Sequence, residues 1–121
     1  MNPLVIAETS ETPNILMDKA QGKFQVTGRS LIDNASTFYQ PIVDWLKEYA
    51  KDPNAETSIS FQFEYLNIES SKSVLDLLTV LDKVKGVTVT WYFNEDDEDM
   101  EEIGEELAEL VTIPFKFEIY S

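Results

Sequence analysis

Asn67-Ile68-Glu69-Ser70-Ser71-Lys72 gathers an amide, a carboxylate, two hydroxyls and an ammonium into one short segment. If a helix starts there, its free backbone N–H groups favour an anion such as a phosphate or a partner's carboxylate. A plain capped helix start is the simpler reading of the same residues. A second cluster, Glu95-Asp96-Asp97-Glu98-Asp99, offers carboxylates to a hard cation or to acid–base work. It fails the calcium-loop pattern, which needs acidic or amide residues at alternate positions followed by a glycine. A divalent-cation site or carboxylate-based hydrolase on Asp96, Asp97 and Asp99 would also need burial to push the carboxyl pKa values apart, and exposed carboxylates at a helix start lack it.

Composition removes most other chemistry. The chain has no cysteine and no histidine, so disulfides, thiolate nucleophiles, the commonest general base and the commonest transition-metal ligand are absent. Its 23 acidic against 9 basic residues give −14, which repels nucleic-acid phosphates and anionic membrane surfaces and points to basic protein partners. The same charge allows an acidic mimic of nucleic acid, lodged in a basic protein's groove, though no spacing specifies one. No apolar run reaches the roughly 20 residues that cross a bilayer, and Met1-Asn2-Pro3-Leu4-Val5 lacks the features of a signal peptide. A soluble, cytoplasmic protein is expected. With 121 residues, 43% of them hydrophobic, one domain over 1–121 is expected.

The elements around the two clusters follow from periodicity. Ile59, Phe61, Phe63 and Tyr65 alternate with Ser58, Ser60, Gln62 and Glu64, which predicts a strand with one apolar face ending at the hydroxyl-rich turn. Val74, Leu77, Leu78, Leu81 and Val84 predict a helix over about 71–85, capped by Ser70 or Ser71 and ended by Gly86. Residues 1–14 look like a lead-in arm, with order from about Ile15. Ile15–Asp18 and Lys23–Thr27 flank Ala20-Gln21-Gly22 as a hairpin. Asp33 or Asn34 can cap a helix with Phe38, Ile42, Trp45, Leu46 and Tyr49 on one face, kinked or restarted at Pro41. Val87–Phe93 and Phe115–Tyr120 alternate as strands. Between them Asp97–Leu110 forms an acidic helix with Met100, Ile103, Leu107 and Leu110 as its apolar stripe and Gly104 and Ala108 for close approach. Like-charge pairs along it cost roughly 0.2–0.5 kcal/mol each, while burying four large apolar side chains is worth on the order of 6–12 kcal/mol, so packing wins.

The resulting order, β-β-α-β-α-β-α-β, predicts an α/β domain with right-handed crossovers between parallel strands after an opening hairpin. Alternating strands have one wet face, so a two-layer arrangement with helices mainly on one face of a mixed sheet is expected. The wet face, carrying Glu64, Thr88, Thr90, Tyr92, Lys116 and Tyr120, is then available for a homodimer or another partner.

Several segments resemble the SiaC-type bacterial regulatory phosphoproteins, small domains similar to STAS anti-sigma-factor antagonists. They are Thr12-Pro13-Asn14-Ile15; Asp33-Asn34-Ala35 with Phe38-Tyr39-Gln40-Pro41-Ile42 and Trp45-Leu46; Tyr65-Leu66-Asn67 with Ser70-Ser71-Lys72; and Trp91 through Met100 continuing to Gly104-Glu105-Glu106. The resemblance implies a STAS-like, non-enzymatic signalling adaptor with no cofactor and no metal, in a partner switch that controls c-di-GMP and biofilm formation. In such a switch an anti-sigma-factor-like Ser/Thr kinase phosphorylates a hydroxyl in the turn, a metal-dependent protein phosphatase removes the phosphate, and the unmodified form binds and activates a diguanylate cyclase. It makes Asn67, Ile68, Glu69, Ser70, Ser71 and Lys72 the partner-binding residues. The family's turn reads Asn-Thr-Ser-Ser-Ser-Lys, so Ile68 stands where the phosphoacceptor threonine would be. Isoleucine cannot be phosphorylated. Either Ser70 or Ser71 is modified instead, or the protein stays in its binding-competent state, or the chain serves another partner; loss of the switch ranks above relocation to a serine. The acidic surface Glu95, Asp96, Asp97, Glu98 and Asp99 would steer a basic partner, less so at high salt.

Overall fold

Alternating segments pair into six strands: β1 (Leu4–Ile6), β2 (Asn14–Asp18), β3 (Lys23–Ser30), β4 (Thr57–Leu66), β5 (Val87–Asn94) and β6 (Phe115–Tyr120). Three helices, α1 (Ala35–Tyr49), α2 (Ile68–Leu81) and α3 (Glu98–Leu110), connect the last four strands in a computed structural model that describes residues 1–121. The strands lie in one sheet in chain order. β1, β2 and β3 run antiparallel, and β3 through β6 run parallel. Every crossover steps in the same direction, so a constant right hand places all three helices on one face. This is the expected two-layer α/β architecture with a mixed sheet.

The covered face is built from Ile15, Met17, Phe24, Val26, Ile59, Phe61, Phe63, Val87, Val89, Trp91 and Phe93, all buried against the helices. Trp91 is the hub. Its ring centroid lies 5.6 Å from Phe61, 5.9 Å from Phe63 and 6.5 Å from Phe115, and its Nε1–H donates to the Met100 carbonyl at 3.0 Å. α3 can seat on this indole because Gly104 has no side chain; a Cβ there would stand 2.5 Å from Trp91 Cδ1 and Nε1.

The lead-in arm carries an additional strand, since Leu4 and Ile6 pair with Met17 and Ile15, and Trp45 Nε1–H holds the Asn2 carbonyl at 2.8 Å. Three residues are too few for alternation to reveal. α1 is continuous through Pro41, whose ring is on the solvent side, where the carbonyl it leaves unbonded can be hydrated. The apolar face of α1 also includes Tyr39 and Val43, which are buried, while Phe38 and Trp45 are half-buried. α2 runs from Ile68 to Leu81 rather than over 71–85.

Tyr65 is not on the core face. The register of β3 and β4 shifts between Gly28 and Arg29, which leaves Glu64 as the extra residue, so Tyr65 lies opposite Arg29 and Leu66 opposite Ser30. Tyr65 is 53% exposed, with the Arg29 guanidinium 5.4 Å from its ring centroid, and Leu66 packs against the core in its place.

Candidate functional site: the β4–α2 turn and the groove beside it

Parallel strands leave their crossover turns at the carboxyl end of the sheet, where α/β folds present their binding surfaces. The β4–α2 turn lies there. Asn67 is extended (φ −81°, ψ 171°) and is the N-cap of α2, its Oδ1 accepting the Ser70 N–H at 2.9 Å. The expected cap at Ser70 or Ser71 is therefore corrected to Asn67. The same amide donates from its other end, Asn67 Nδ2 bonding the Ile32 carbonyl at 3.1 Å, a second role that a carboxylate could not fill. With Asn67 N–H on the Ser30 carbonyl at 3.0 Å, the turn is fastened to the end of β3 and the loop after it.

Ser70 is fastened as well. Its Oγ accepts from Ser30 Oγ at 2.7 Å, and Ser30 Oγ is 2.8 Å from the Tyr39 hydroxyl, all three residues being buried. With the Ser30 proton committed to Ser70, Tyr39 donates to Ser30. Burial pushes the Tyr39 phenol up to about 12, so it stays neutral and keeps its proton for this bond. Ser70 thus holds the helix start in place and presents no hydroxyl to solvent. Ser71 is half-buried, and its Oγ donates to the Ile68 carbonyl at 2.8 Å.

What remains on the outside is Ile68, Glu69 and Lys72. Ile68 is 74% exposed in the first turn of α2. Glu69 and Lys72 form an exposed pair at 3.7 Å, which solvent screening makes weak. Ile68 also forms one lip of a groove of about 300 Å³ between α2 and α3. Leu66, Leu75, Ile103, Leu107 and Leu110 supply its other apolar lining, with Asn67, Ser71, Lys72 and Glu106 at the polar rim. Leu110, 64% exposed, is the far lip. The stripe of α3 is therefore divided, with Met100 and Leu107 buried beside Gly104 against the sheet and Ile103 and Leu110 turned to the groove. An open apolar trough with a few polar groups at its edge suits the apolar side chains of another protein better than a small charged substrate.

The acidic cluster occupies the neighbouring β5–α3 turn. Asp97 caps α3, its Oδ1 accepting the Met100 N–H at 3.0 Å, and Asn94 Oδ1 accepts the Asp96 N–H at 3.0 Å. Glu95, Asp96, Glu98 and Asp99 fan into solvent, and no three acidic side chains converge as a metal cage would require. Across the open sheet face, Arg29 holds the Glu64 carboxyl below its ordinary range through a 3.1 Å bond. Partial burial, then the charges of Glu64 and Asp97, push the Tyr120 phenol up.

Two parts of this site escaped sequence reasoning. The Ser30–Tyr39–Ser70 chain joins residues that no local spacing connects. The groove did leave a signal, because Ile68 and Leu75 on one helix, and Ile103 and Leu110 on the next, are each seven residues apart and so share a helix face.

Residues 6–120 match the family model described as SiaC family regulatory phosphoprotein. An uncharacterised protein of Pseudomonas aeruginosa strain UCBPP-PA14 is 26% identical over 124 residues, spanning 99% of this chain and 98% of its own length. The crystal structure of apo-SiaC from Pseudomonas aeruginosa superposes with a TM-score of 0.89 at 25% identity, covering 98% of this chain and 99% of that one. The structure of the Pseudomonas aeruginosa diguanylate cyclase SiaD in complex with its activator SiaC matches with a TM-score of 0.88 at 26% identity, covering 97% and 99%.

Proposed function

Because the chain belongs to the SiaC family of regulatory phosphoproteins, we propose that it is a non-enzymatic signalling adaptor that binds and activates a diguanylate cyclase through the 67–72 turn and the adjoining α2–α3 groove. The observation that carries this reading is Ile68. A large apolar side chain three-quarters exposed at a helix start is costly to leave wet, and it stands at the mouth of an apolar groove. Docking there would bury Ile68, Leu110 and the groove floor together, while Glu69, Lys72 and the acidic β5–α3 turn set orientation and encounter rate.

The phosphate switch is lost. Ile68, at the position matching the family's acceptor, has no hydroxyl, and the Ser70 hydroxyl is locked inside the protein, so a kinase would have to unravel the start of α2 to reach it. Ser71 is the only serine of the turn with any exposure, and its hydroxyl is spent on the Ile68 carbonyl. The adaptor is thus held in the form that binds the cyclase, without a kinase and phosphatase to release it, in a single cytoplasmic domain.

The test is capture of a diguanylate cyclase from the same source by wild type and by a Glu69→Lys, Ser71→Arg double variant. Loss of capture by a variant with wild-type circular dichroism supports the surface. Undiminished capture rejects it. Incubating wild type with a family kinase, followed by mass spectrometry, tests the lost switch, and a phosphate on Ser70 or Ser71 would reject that part alone.

A further inference from the structure

The two edges of the sheet differ in how they are protected. β1 is three residues long, short enough to be a poor template. β6 is six residues long and regular, and it closes the sheet with no strand beyond it. α3 lies over β5 and β4 and leaves the helix-side face of β6 open, so Phe117 is 37% and Ile119 62% exposed. Such an edge is an association surface unless something blunts it.

The hydrogen-bond pattern limits which pairings that edge can make. Val89 lies beside Phe115 in the parallel ladder, and its N–H donates to the Pro114 carbonyl at 3.0 Å. In a parallel ladder both backbone groups of a residue point to the same side, and the side alternates along the strand. Residues 114, 116, 118 and 120 therefore turn their backbone groups to β5, and Phe115, Phe117 and Ile119 turn theirs to the open edge. An antiparallel neighbour must place its own outward-facing residues opposite these three.

For a second copy of β6, side-chain charge selects one register. Centring the pair on residue 116 puts Lys116 against Lys116, and centring it on 118 puts Glu118 against Glu118. Centring it on Phe117 puts Lys116 opposite Glu118 twice, Phe115 opposite Ile119 twice, and Phe117 opposite itself. Lys116 and Glu118 already lie side by side at 3.1 Å on the open sheet face, so the pairing would complete a ladder of four alternating charges. Lysine on an edge strand ordinarily guards against pairing; with Glu118 two residues on, the guard is self-complementary.

From this we propose that β6 is a homodimer edge, joining two copies antiparallel about a two-fold axis at Phe117 into a continuous twelve-stranded sheet. Six backbone hydrogen bonds and a strip of Phe115, Phe117 and Ile119 from each copy hold it. The β4–α2 turn belongs to other strands, so this surface and the proposed cyclase surface are independent.

The experiment is sedimentation velocity over a concentration series at about 0.15 M salt, where a Debye length of about 8 Å screens the charge of −14 on each copy beyond the contact. Wild type is expected to dimerise with rising concentration. Lys116→Glu and Glu118→Lys, taken singly, oppose like charges twice and should weaken association about tenfold. An equimolar mixture of the two variants should associate again, because each then meets its complement. Register is read by cross-linking in a chain with no other cysteine: Phe117→Cys should oxidise to a disulfide dimer, its Cα atoms being about 5.5 Å apart across the axis. Ile119→Cys, offset by four residues from its own copy, should not. A wild type that stays monomeric throughout, single variants that associate as wild type does, a mixture no stronger than its components, or cross-linking at 119 in place of 117 would each overturn the proposal.

Discussion

Replacing Gly104 with alanine tests whether α3 is seated by contact with the Trp91 indole or by its own helix-forming tendency. In an exposed helix interior this substitution stabilises by about 1 kcal/mol, because alanine loses less backbone entropy than glycine. Here the added Cβ would lie 2.5 Å from Trp91 Cδ1 and Nε1 and 2.8 Å from Cγ, nearer than packed carbons approach. The indole cannot retreat, since Trp91 is fully buried against Phe61 and Phe63 and its Nε1–H is bonded to the Met100 carbonyl. Overpacking of this kind costs about 1–3 kcal/mol, which outweighs the propensity gain at all but the low end and gives a net loss of up to about 2 kcal/mol. Urea unfolding followed by far-UV circular dichroism reads the loss as a lower midpoint at unchanged slope. Because α3 must lift to make room, the groove beside it should widen, and indole fluorescence should shift to the red as Trp91 gains water. A Gly104→Ala protein as stable as wild type or more so, with unchanged fluorescence, would refute the tight seating of α3.

Three further perturbations address the turn. Asn67→Ala removes both the cap of α2 and the tie to the Ile32 carbonyl, and should cost about 1–2 kcal/mol in urea unfolding; a loss under about 0.3 kcal/mol would show that the amide is not structural. Ile68→Thr restores a hydroxyl at an exposed position, should change stability by no more than about 0.5 kcal/mol, and should gain one phosphate by mass spectrometry with a family kinase, whereas wild type gains none. The Tyr39 phenol has its folded pKa raised from 10.0 to about 12, so its contribution to stability is whole below pH 10 and is lost as pH rises towards 12. That loss amounts to about 2–3 kcal/mol, and urea midpoints of wild type minus those of Tyr39→Phe should fall over this window; a flat difference would place Tyr39 outside the buried chain.

Local pattern and tertiary contact divide this protein cleanly. Alternation in Ile59–Phe63, Val87–Phe93 and Phe115–Tyr120, the helical stripes at 74–81 and 100–107, and the repeated strand–helix order made the parallel part of the sheet and its one covered face legible, because period and crossover handedness are properties of neighbouring residues. The position of the β4–α2 turn was legible for the same reason, and so was the isoleucine that stands in it. The exchange of Tyr65 for Leu66 was not, because it depends on a bulge that exists only when β3 lies beside β4. Nor could the sequence distinguish two adjacent serines, both polar, both at a helix start. Only the approach of Ser30 and Tyr39 from other elements buries Ser70 and leaves Ser71 partly outside. Exposure is a sum over everything that packs nearby, and residues 40 positions apart in the chain have no local signal by which to announce that they will meet.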